Sequence, residues 1–325
     1  MNILIIKLGA KGDVVRTLCI LPALKEKFPN SDIYWITKPE NLSLFENNPY
    51  INQMLPFSKS NLNFELLINL DIEDKATELA DKTKSKKKLG FYKTGDFPAA
   101  FNLGSEYYLD TLYDDELKKS NKKTYQQMIF DAAELEWNNQ KCEIFLNNKE
   151  KEYAETFVSK NKIKTKKLIG IHMGASSRWP SKVWHESRLI EFIKLAKEKG
   201  NEILLFAGPN EVEACKKIAE KLKKESISIY QNNPHNSDRE FISLVNICSA
   251  MVCSDSFALH SSLALNKSTI GLFFCTSPNE VESYGLLKKL VSPSLKDVFP
   301  EKCDLYNEEL VKSISAEQVL KEIPV

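Results

Sequence analysis

None of the seven cysteines (Cys19, Cys142, Cys215, Cys248, Cys253, Cys275 and Cys303) is spaced as C-x-x-C with another. An odd number of scattered thiols argues against a disulfide framework or a zinc site, so they read as small core residues kept reduced. No apolar run approaches the length of a membrane span. The first one, residues 3–6 ahead of Lys7, lacks a cleavage-like region and reads as a strand, not a signal peptide. A charge surplus is also missing: 45 Lys plus Arg against 44 Asp plus Glu leave +1, which gives no general reason to expect nucleic acid. Two glycine-loop signatures are absent too. The dinucleotide fingerprint G-x-G-x-x-G is reduced to Gly9 and Gly12, and the second strand, Ile33-Tyr34-Trp35-Ile36, ends in Thr37-Lys38 where a ribose-binding acid is needed. A Walker loop needs Gly-Lys-Ser/Thr, but Gly12 is followed by Asp13-Val14. Neither NAD nor a P-loop nucleotide is supported.

What is present is an alternation of strand and helix signals. Asn2-Ile3-Leu4-Ile5-Ile6-Lys7 reads as a buried strand, Leu8-Gly9-Ala10-Lys11-Gly12-Asp13 as a tight turn, and Val14-Val15-Arg16-Thr17-Leu18-Cys19 as the start of a helix. This is the entry of an α/β nucleotide-type domain, whose ligands sit beyond the carboxyl ends of parallel strands. Asp13 stands at that corner, where a substrate hydroxyl could come. It is also a residue type that caps helix N-termini, and the two roles are compatible.

At 325 residues and 42% hydrophobic content, the chain is long enough for two domains with separate cores. In the first half the expected elements are strands 2–8, 32–37, 53–57, 65–71 and 88–92, with helices 13–28, 40–47, 74–82 and 124–135. Val14, Leu18, Leu21 and Leu24 give the first helix one buried face, and Pro29 stops it. Lys82-Thr83-Lys84-Ser85-Lys86-Lys87-Lys88 reads as a solvated loop, or more sharply as a docking patch for an anionic acceptor or membrane surface. Periodicity weakens between 93 and 123, which reads as loops or an acceptor-facing insertion.

Alternation restarts after residue 150, with helices 150–161, 182–199, 210–224, 238–248 and 257–265 and strands 167–172, 202–206, 227–230, 250–253 and 269–273. This predicts a second doubly wound parallel-sheet unit. The division expected is 1–150 and 151–325, with a last helix, 316–323, able to pack on either part. Three strand ends in this half carry polar residues: His172-Met173-Gly174-Ala175-Ser176-Ser177-Arg178-Trp179-Pro180, then Gly208-Pro209-Asn210-Glu211, then Ser254-Asp255-Ser256-Phe257-Ala258-Leu259-His260. Hydroxyls, a cation, an acid for ribose hydroxyls and a helix start with free N–H groups would together suit a nucleotide diphosphate without a metal.

These motifs resemble the heptosyltransferases of glycosyltransferase family 9. The family's N-terminal signature, approximately I-L-I-I-[KR]-x-x-x-x-G-D-V-V-x-T-x-P, is met from Ile3 through Gly12-Asp13-Val14-Val15 and Thr17 to Pro22. The second half is similar to its H-P-G-A-S, R-W-P, G-G-P-x-E and D-T-G-x-x-H motifs, in order, over residues 3–322. The resemblance implies a GT-B architecture: two Rossmann-like doubly wound parallel-sheet domains facing across a cleft, an N-terminal acceptor-side domain and a C-terminal nucleotide-sugar domain. It implies inverting transfer of heptose from ADP-heptose to a lipopolysaccharide inner-core acceptor, with Asp13 as general base and no cofactor or metal. On the donor side it implies Ser176, Ser177, Asp255, Ser256, Phe257, Ala258 and His260 around the diphosphate and sugar, with Glu211 near the nucleoside. Gly12, Lys86, Lys87 and Lys88 fall on the acceptor side. A cytoplasmic enzyme with peripheral contact at the inner membrane is expected, without nucleic acid.

The chain departs from the family pattern where Ser177 stands in place of a lysine, leaving Arg178 or Lys182 to supply the cation for the leaving group. Met173 replaces a proline, Phe257 a glycine and Cys275 another glycine. A bulky Phe257 narrows the pocket, so a GT-B transferase using another nucleotide sugar is one alternative, and a catalytically silent sugar-nucleotide-binding protein is another. Taken alone, Asp255 and Ser256 read as helix caps and His260 and His172 as core histidines. His185 and His235 read as surface residues, and Trp179 as a packing anchor.

Overall fold

The computed structural model describes residues 1–57, 62–174 and 178–324. The chain divides into two compact units, Met1–Phe145 with Asn279–Glu282, and Leu146–Pro278 with Ser283–Val325. The first unit runs β1 (Asn2–Ile6), α1 (Lys11–Thr17), α2 (Ile20–Lys27), β2 (Asp32–Ile36), β3 (Gln53–Leu55), β4 (Phe64–Asn69), α3 (Asp74–Lys82), β5 (Ser85–Thr94), β6 (Phe97–Ala100), α4 (Leu103–Tyr113), α5 (Asp115–Ser120) and α6 (Tyr125–Ala132). Its strands lie in the order β3-β2-β1-β4-β5-β6, parallel except for the antiparallel edge strand β6. Ile3, Leu4, Ile5 and Ile6 are at most 1% exposed, as a central strand covered on both faces requires. The chain order reverses between β1 and β4, which opens a crevice at their carboxyl ends.

The single helix expected over 13–28 is two helices. Pro22 has no N–H to give to the Leu18 carbonyl and its ring crowds that position; Leu21 instead closes a tighter turn on Leu18 O at 3.1 Å. The segment 40–47 is a 3₁₀ turn, Pro39–Phe45, not an α-helix. Residues 82–88 are not a solvated loop either. Lys82 ends α3, while Lys87 and Lys88 lie on β5 in register with Leu66 and Leu67 of β4. Lys86 Nζ is 3.3 Å from Glu65 Oε1, Lys87 pairs with Glu134, and Lys88 Nζ donates to the Asp81 carbonyl at 2.7 Å. β6 pairs only with Phe91–Thr94, so the lysines occupy an open edge, where charge deters pairing with other strands. The segment 93–123 is likewise structured, as β6, α4 and α5. α4 buries Ser105 and Thr111, a small polar face that hydrophobic periodicity does not register. A Cβ on Gly104 would lie 2.0 Å from the Asp131 carbonyl, so α4 rests directly on the α6 backbone.

The second unit runs α7 (Asn148–Asn161), β7 (Leu168–His172), α8 (Glu186–Glu198), β8 (Glu202–Phe206), α9 (Val212–Lys224), β9 (Tyr230–Gln231), α10 (Asp238–Ile247), β10 (Ala250–Ser254), α11 (Phe257–Ala264), β11 (Ser268–Phe273), β12 (Leu287–Val291), α12 (Glu308–Lys312) and α13 (Ala316–Glu322). Its all-parallel order, β12-β11-β10-β7-β8-β9, again reverses beside the first strand, between β7 and β10. α8 begins at Glu186 and not 182, because Pro180–Lys182 forms a 3₁₀ turn and His185 is the cap, its ring accepting from Ser187 N at 3.2 Å. His185 therefore has a structural task, whereas His235 is exposed as expected. α13 packs in this unit, with Ala316 and Val319 fully buried in its core. All seven cysteines are free thiols and buried, and burial pushes Cys215 up to about 11 and Cys248 and Cys275 up to about 12, leaving them unreactive.

Candidate active site

In the first unit the β1–α1 corner is tied down by a carboxylate from the neighbouring strand end. Asp71, just past β4 and 3% exposed, accepts from Gly9 N (2.8 Å) and Leu8 N (3.0 Å) through Oδ2 and from Glu73 N (2.9 Å) through Oδ1. Lys7, 5% exposed, stands 3.4 Å from the same Oδ2 and donates to Leu70 O at 2.9 Å. Burial would raise the Asp71 pKa, but Lys7 and the three N–H donors hold it below the ordinary carboxylate range. Burial likewise opposes the Lys7 charge; Tyr125, Asp71, Tyr108 and Asp13 around it outweigh that and raise its pKa well above the usual lysine value. Asn41 adds a clamp from the other side, donating to Gly9 O at 3.0 Å.

Asp13 is not the helix cap. That position belongs to Ala10, and Asp13 lies in the first turn of α1, its side chain 37% exposed. Its Oδ1 is 2.6 Å from Arg16 Nη2. The Arg16 guanidinium lies over the Tyr125 ring, 3.8 Å from its centroid. A carboxylate fixed by a guanidinium and still partly exposed is equipped to take a proton from an incoming hydroxyl. Gly12 is half-buried on the same helix.

In the second unit the ends of β7, β8 and β10 each carry predicted residues. Asp255 follows β10, with Oδ2 3.2 Å from Lys182 Nζ and Oδ1 3.4 Å from His260 Nε2; Lys182 also donates to the Asp255 carbonyl at 2.9 Å. Ser256, the cap residue of α11, does not cap it with its side chain, and its Oγ is buried without a hydrogen-bond partner. His260, 6% exposed, is thus a partner of Asp255 and not merely a core residue. Ala258 is fully buried, and the Phe257 ring, at the first helical position, stacks on Phe241 (5.6 Å, 28°). The N-terminal end of α11, where the helix dipole is positive, and the Lys182 ammonium form a locus suited to a phosphate.

Glu211 is folded back, its Oε2 accepting from Gly208 N at 2.9 Å. Added Cβ atoms on Gly208 and Gly174 would meet it at 2.9 Å and 3.1 Å, so the carboxylate sits close against both turns. His172 ends β7 against Phe241, and burial lowers its pKa to about 4, so the ring is neutral, with Nδ1 lacking a hydrogen-bond partner. Arg178 lies 4.9 Å from the ring centroid of Trp179, which itself packs against the core. Ser176 and Ser177 lie outside the described residues.

Sequence reasoning missed Asp71, Arg16, Tyr125 and Asn232, whose side chain bonds both Ala207 N (2.8 Å) and Ala207 O (3.1 Å) at the end of β8. Arg16 falls on an unspecified position of the N-terminal signature and the other three lie outside every motif; an acid two residues beyond the apolar run of β4 is the one signal that could have drawn attention to Asp71. Among the described residues no group of three His, Cys, Asp or Glu side chains is placed to hold a metal ion, and no helix is long and apolar enough to cross a membrane.

Two doubly wound domains in one chain, each with polar residues gathered at the carboxyl ends of its sheet, make the GT-B fold. The sequence profile of glycosyltransferase family 9 (heptosyltransferase) matches residues 60–303, and the chain belongs to that family. It is similar to lipopolysaccharide heptosyltransferase 1 of Campylobacter coli, 22% identical over 99% of this chain and 97% of that protein. The fold is shared with the glycosyl transferase family 9 protein of Veillonella parvula (TM-score 0.77, 17% identity, 99% of this chain and 95% of that one). It is shared also with the ADP-heptose lipopolysaccharide heptosyltransferase II of E. coli (TM-score 0.72, 16% identity, 99% and 97%).

Proposed function

We propose that the protein transfers heptose from ADP-heptose to a lipopolysaccharide inner-core acceptor with inversion at the anomeric carbon, and that Asp13 is the general base. The observation that carries this reading is the Asp13 carboxylate, partly open to solvent in the first turn of α1 beside the switch point of the first sheet. As the acceptor oxygen attacks the anomeric carbon from the face opposite the nucleotide, its proton passes to Asp13 and the bond to the diphosphate oxygen breaks. Positioned proton transfer of this kind contributes about 10²–10⁴-fold. Lys182, held 3.2 Å from Asp255, and the N-terminal turn of α11 would receive the growing negative charge on the leaving ADP. Lys182 is favoured over Arg178 for this because Arg178 lies against Trp179. Asp255, Ser256, Phe257, Ala258 and His260 would surround the diphosphate and sugar with Ser176 and Ser177. Glu211 would lie near the nucleoside and Gly12 would serve the acceptor, while Lys86, Lys87 and Lys88, at the amino-terminal end of β5 and away from the carboxyl-end crevice, would meet only membrane-borne anionic groups.

The test is transfer from ADP-heptose to a heptose-free inner-core acceptor, with the anomeric configuration of the product read by NMR. Asp13→Asn should lower kcat by about 10²–10⁴-fold with ADP affinity unchanged; retained turnover would remove Asp13 from the base role. Phe257, stacked on Phe241 at the start of α11, favours a second reading, a different sugar on the nucleotide. A panel of nucleotide sugars decides between them by kcat/KM.

A further inference from the structure

Asp13 belongs to a closed circuit of contacts completed by Tyr125, which lies far outside the N-terminal signature. Its Oδ1 meets Arg16 Nη2 at 2.6 Å. The Arg16 guanidinium lies on the face of Tyr125 at 3.8 Å from the ring centroid. The Tyr125 hydroxyl shares a 2.8 Å hydrogen bond with Thr17 Oγ1, which in turn donates to the backbone carbonyl of Asp13 at 2.6 Å. Tyr125 is fully buried at the first position of α6, and that position is fixed by a capping box between Thr124 and Gln127. The Arg16 carbonyl is anchored as well, accepting from Cys142 Sγ at 3.3 Å and Gln126 Nε2 at 3.4 Å. Arginine is normally among the most mobile side chains, yet here its guanidinium lies 3.8 Å from the centroid of a fully buried ring and its backbone is held from two further segments.

We infer that Arg16, seated on Tyr125, is a positioning residue for Asp13: by fixing Oδ1 it sets the orientation in which the carboxylate meets the acceptor hydroxyl. This rests on the reading of Asp13 as the base. The guanidinium is only 16% exposed, so its seat on Tyr125 also contributes to stability, and the two roles are separated by measuring rate and melting temperature together. Orientation acts on the rate, since a misplacement of roughly 1 Å at a reacting group can cost on the order of a hundredfold. Lysine would not substitute, because an ammonium has no flat face to lay on the ring and no fork to hold a carboxylate in plane.

The experiment compares the full-length wild type with Arg16→Ala, Arg16→Lys and Asp13→Asn, measuring kcat, acceptor KM, ADP affinity by calorimetry and thermal stability. Arg16→Ala should lose about ten- to a hundredfold in kcat with ADP affinity close to wild type and the protein still folded at the assay temperature, and Arg16→Lys should recover only part of the loss. Millimolar methylguanidinium should raise the kcat of Arg16→Ala several-fold and leave Asp13→Asn unchanged. Wild-type kcat in Arg16→Ala with an inactive Asp13→Asn would overturn the positioning role while leaving the base assignment intact. A kcat loss that tracks a lower melting temperature and is not rescued by methylguanidinium would reduce Arg16 to a structural residue. An active Asp13→Asn would overturn the base assignment and this inference together.

Discussion

The Oδ2 of Asp71 accepts the backbone N–H of Gly9 at 2.8 Å, so the end of β4 determines the path of the β1–α1 turn that carries Asp13. Strand order makes this possible: β1 and β4 are neighbours although 57 residues of β2, β3 and their connections separate Ile6 from Phe64. Asp71→Ala would strand two corner N–H groups and leave the Lys7 ammonium buried beside an apolar side chain. Removing one partner of a buried ion pair costs about 3–5 kcal/mol. Urea unfolding should report a loss of that size, and a change under about 1 kcal/mol would show that the corner holds without Asp71.

Gly90, inside β5, has φ +88°, and a Cβ there would lie 1.8 Å from the Asn69 carbonyl oxygen. Both the left-handed backbone and the contact with main chain penalise any side chain, because a carbonyl in β4 cannot move aside as a side chain can. Gly90→Ala should destabilise by more than about 2 kcal/mol, read from denaturant midpoints at unchanged m-value.

His172 gives the stability a pH dependence of known sign. Burial lowers its folded pKa from 6.5 to about 4, so between those values the unfolded chain takes up a proton that the folded one refuses. Stability from this group is full above pH 6.5 and is lost as the pH falls toward about 4. His172→Gln should flatten the slope of unfolding free energy over that window; an unchanged slope would assign it to other groups.

Lys182 and Asp255 can be separated by binding. Lys182→Met should weaken ADP about tenfold or more, since a charge-assisted hydrogen bond contributes about 1.5–3 kcal/mol. Calorimetry at low salt measures it. Undiminished affinity in Lys182→Met together with a loss in Arg178→Met would transfer the leaving-group cation to Arg178.

How far the sequence could be read depended on how local each feature was. The helix over 74–82 matches α3 to the residue, because its polar and apolar positions alternate with helical period in one short stretch. Helix 13–28 failed at Pro22, a breaker whose effect falls four residues upstream, on Leu18. α4 escaped notice because the face it buries is Ser105 and Thr111, which carry no hydrophobic signal. The lysines of β5 were read by their charge, when their strand is held by Leu66 and Leu67 of β4.

The linear order of residues was sufficient for two β/α alternations, for a carboxylate at the first corner, and for polar residues at three strand ends of the second half, since each follows from apolar period and turn chemistry within a dozen positions. Three-dimensional folding alone decided that Asp71 ties the Gly9 turn, that Tyr125 carries Arg16, and that Lys182 reaches Asp255. Those partners come from different strands and helices, and no spacing rule relates them. Only the pairing of β1 with β4 and of β7 with β10, and the docking of helices on those sheets, brings them within reach.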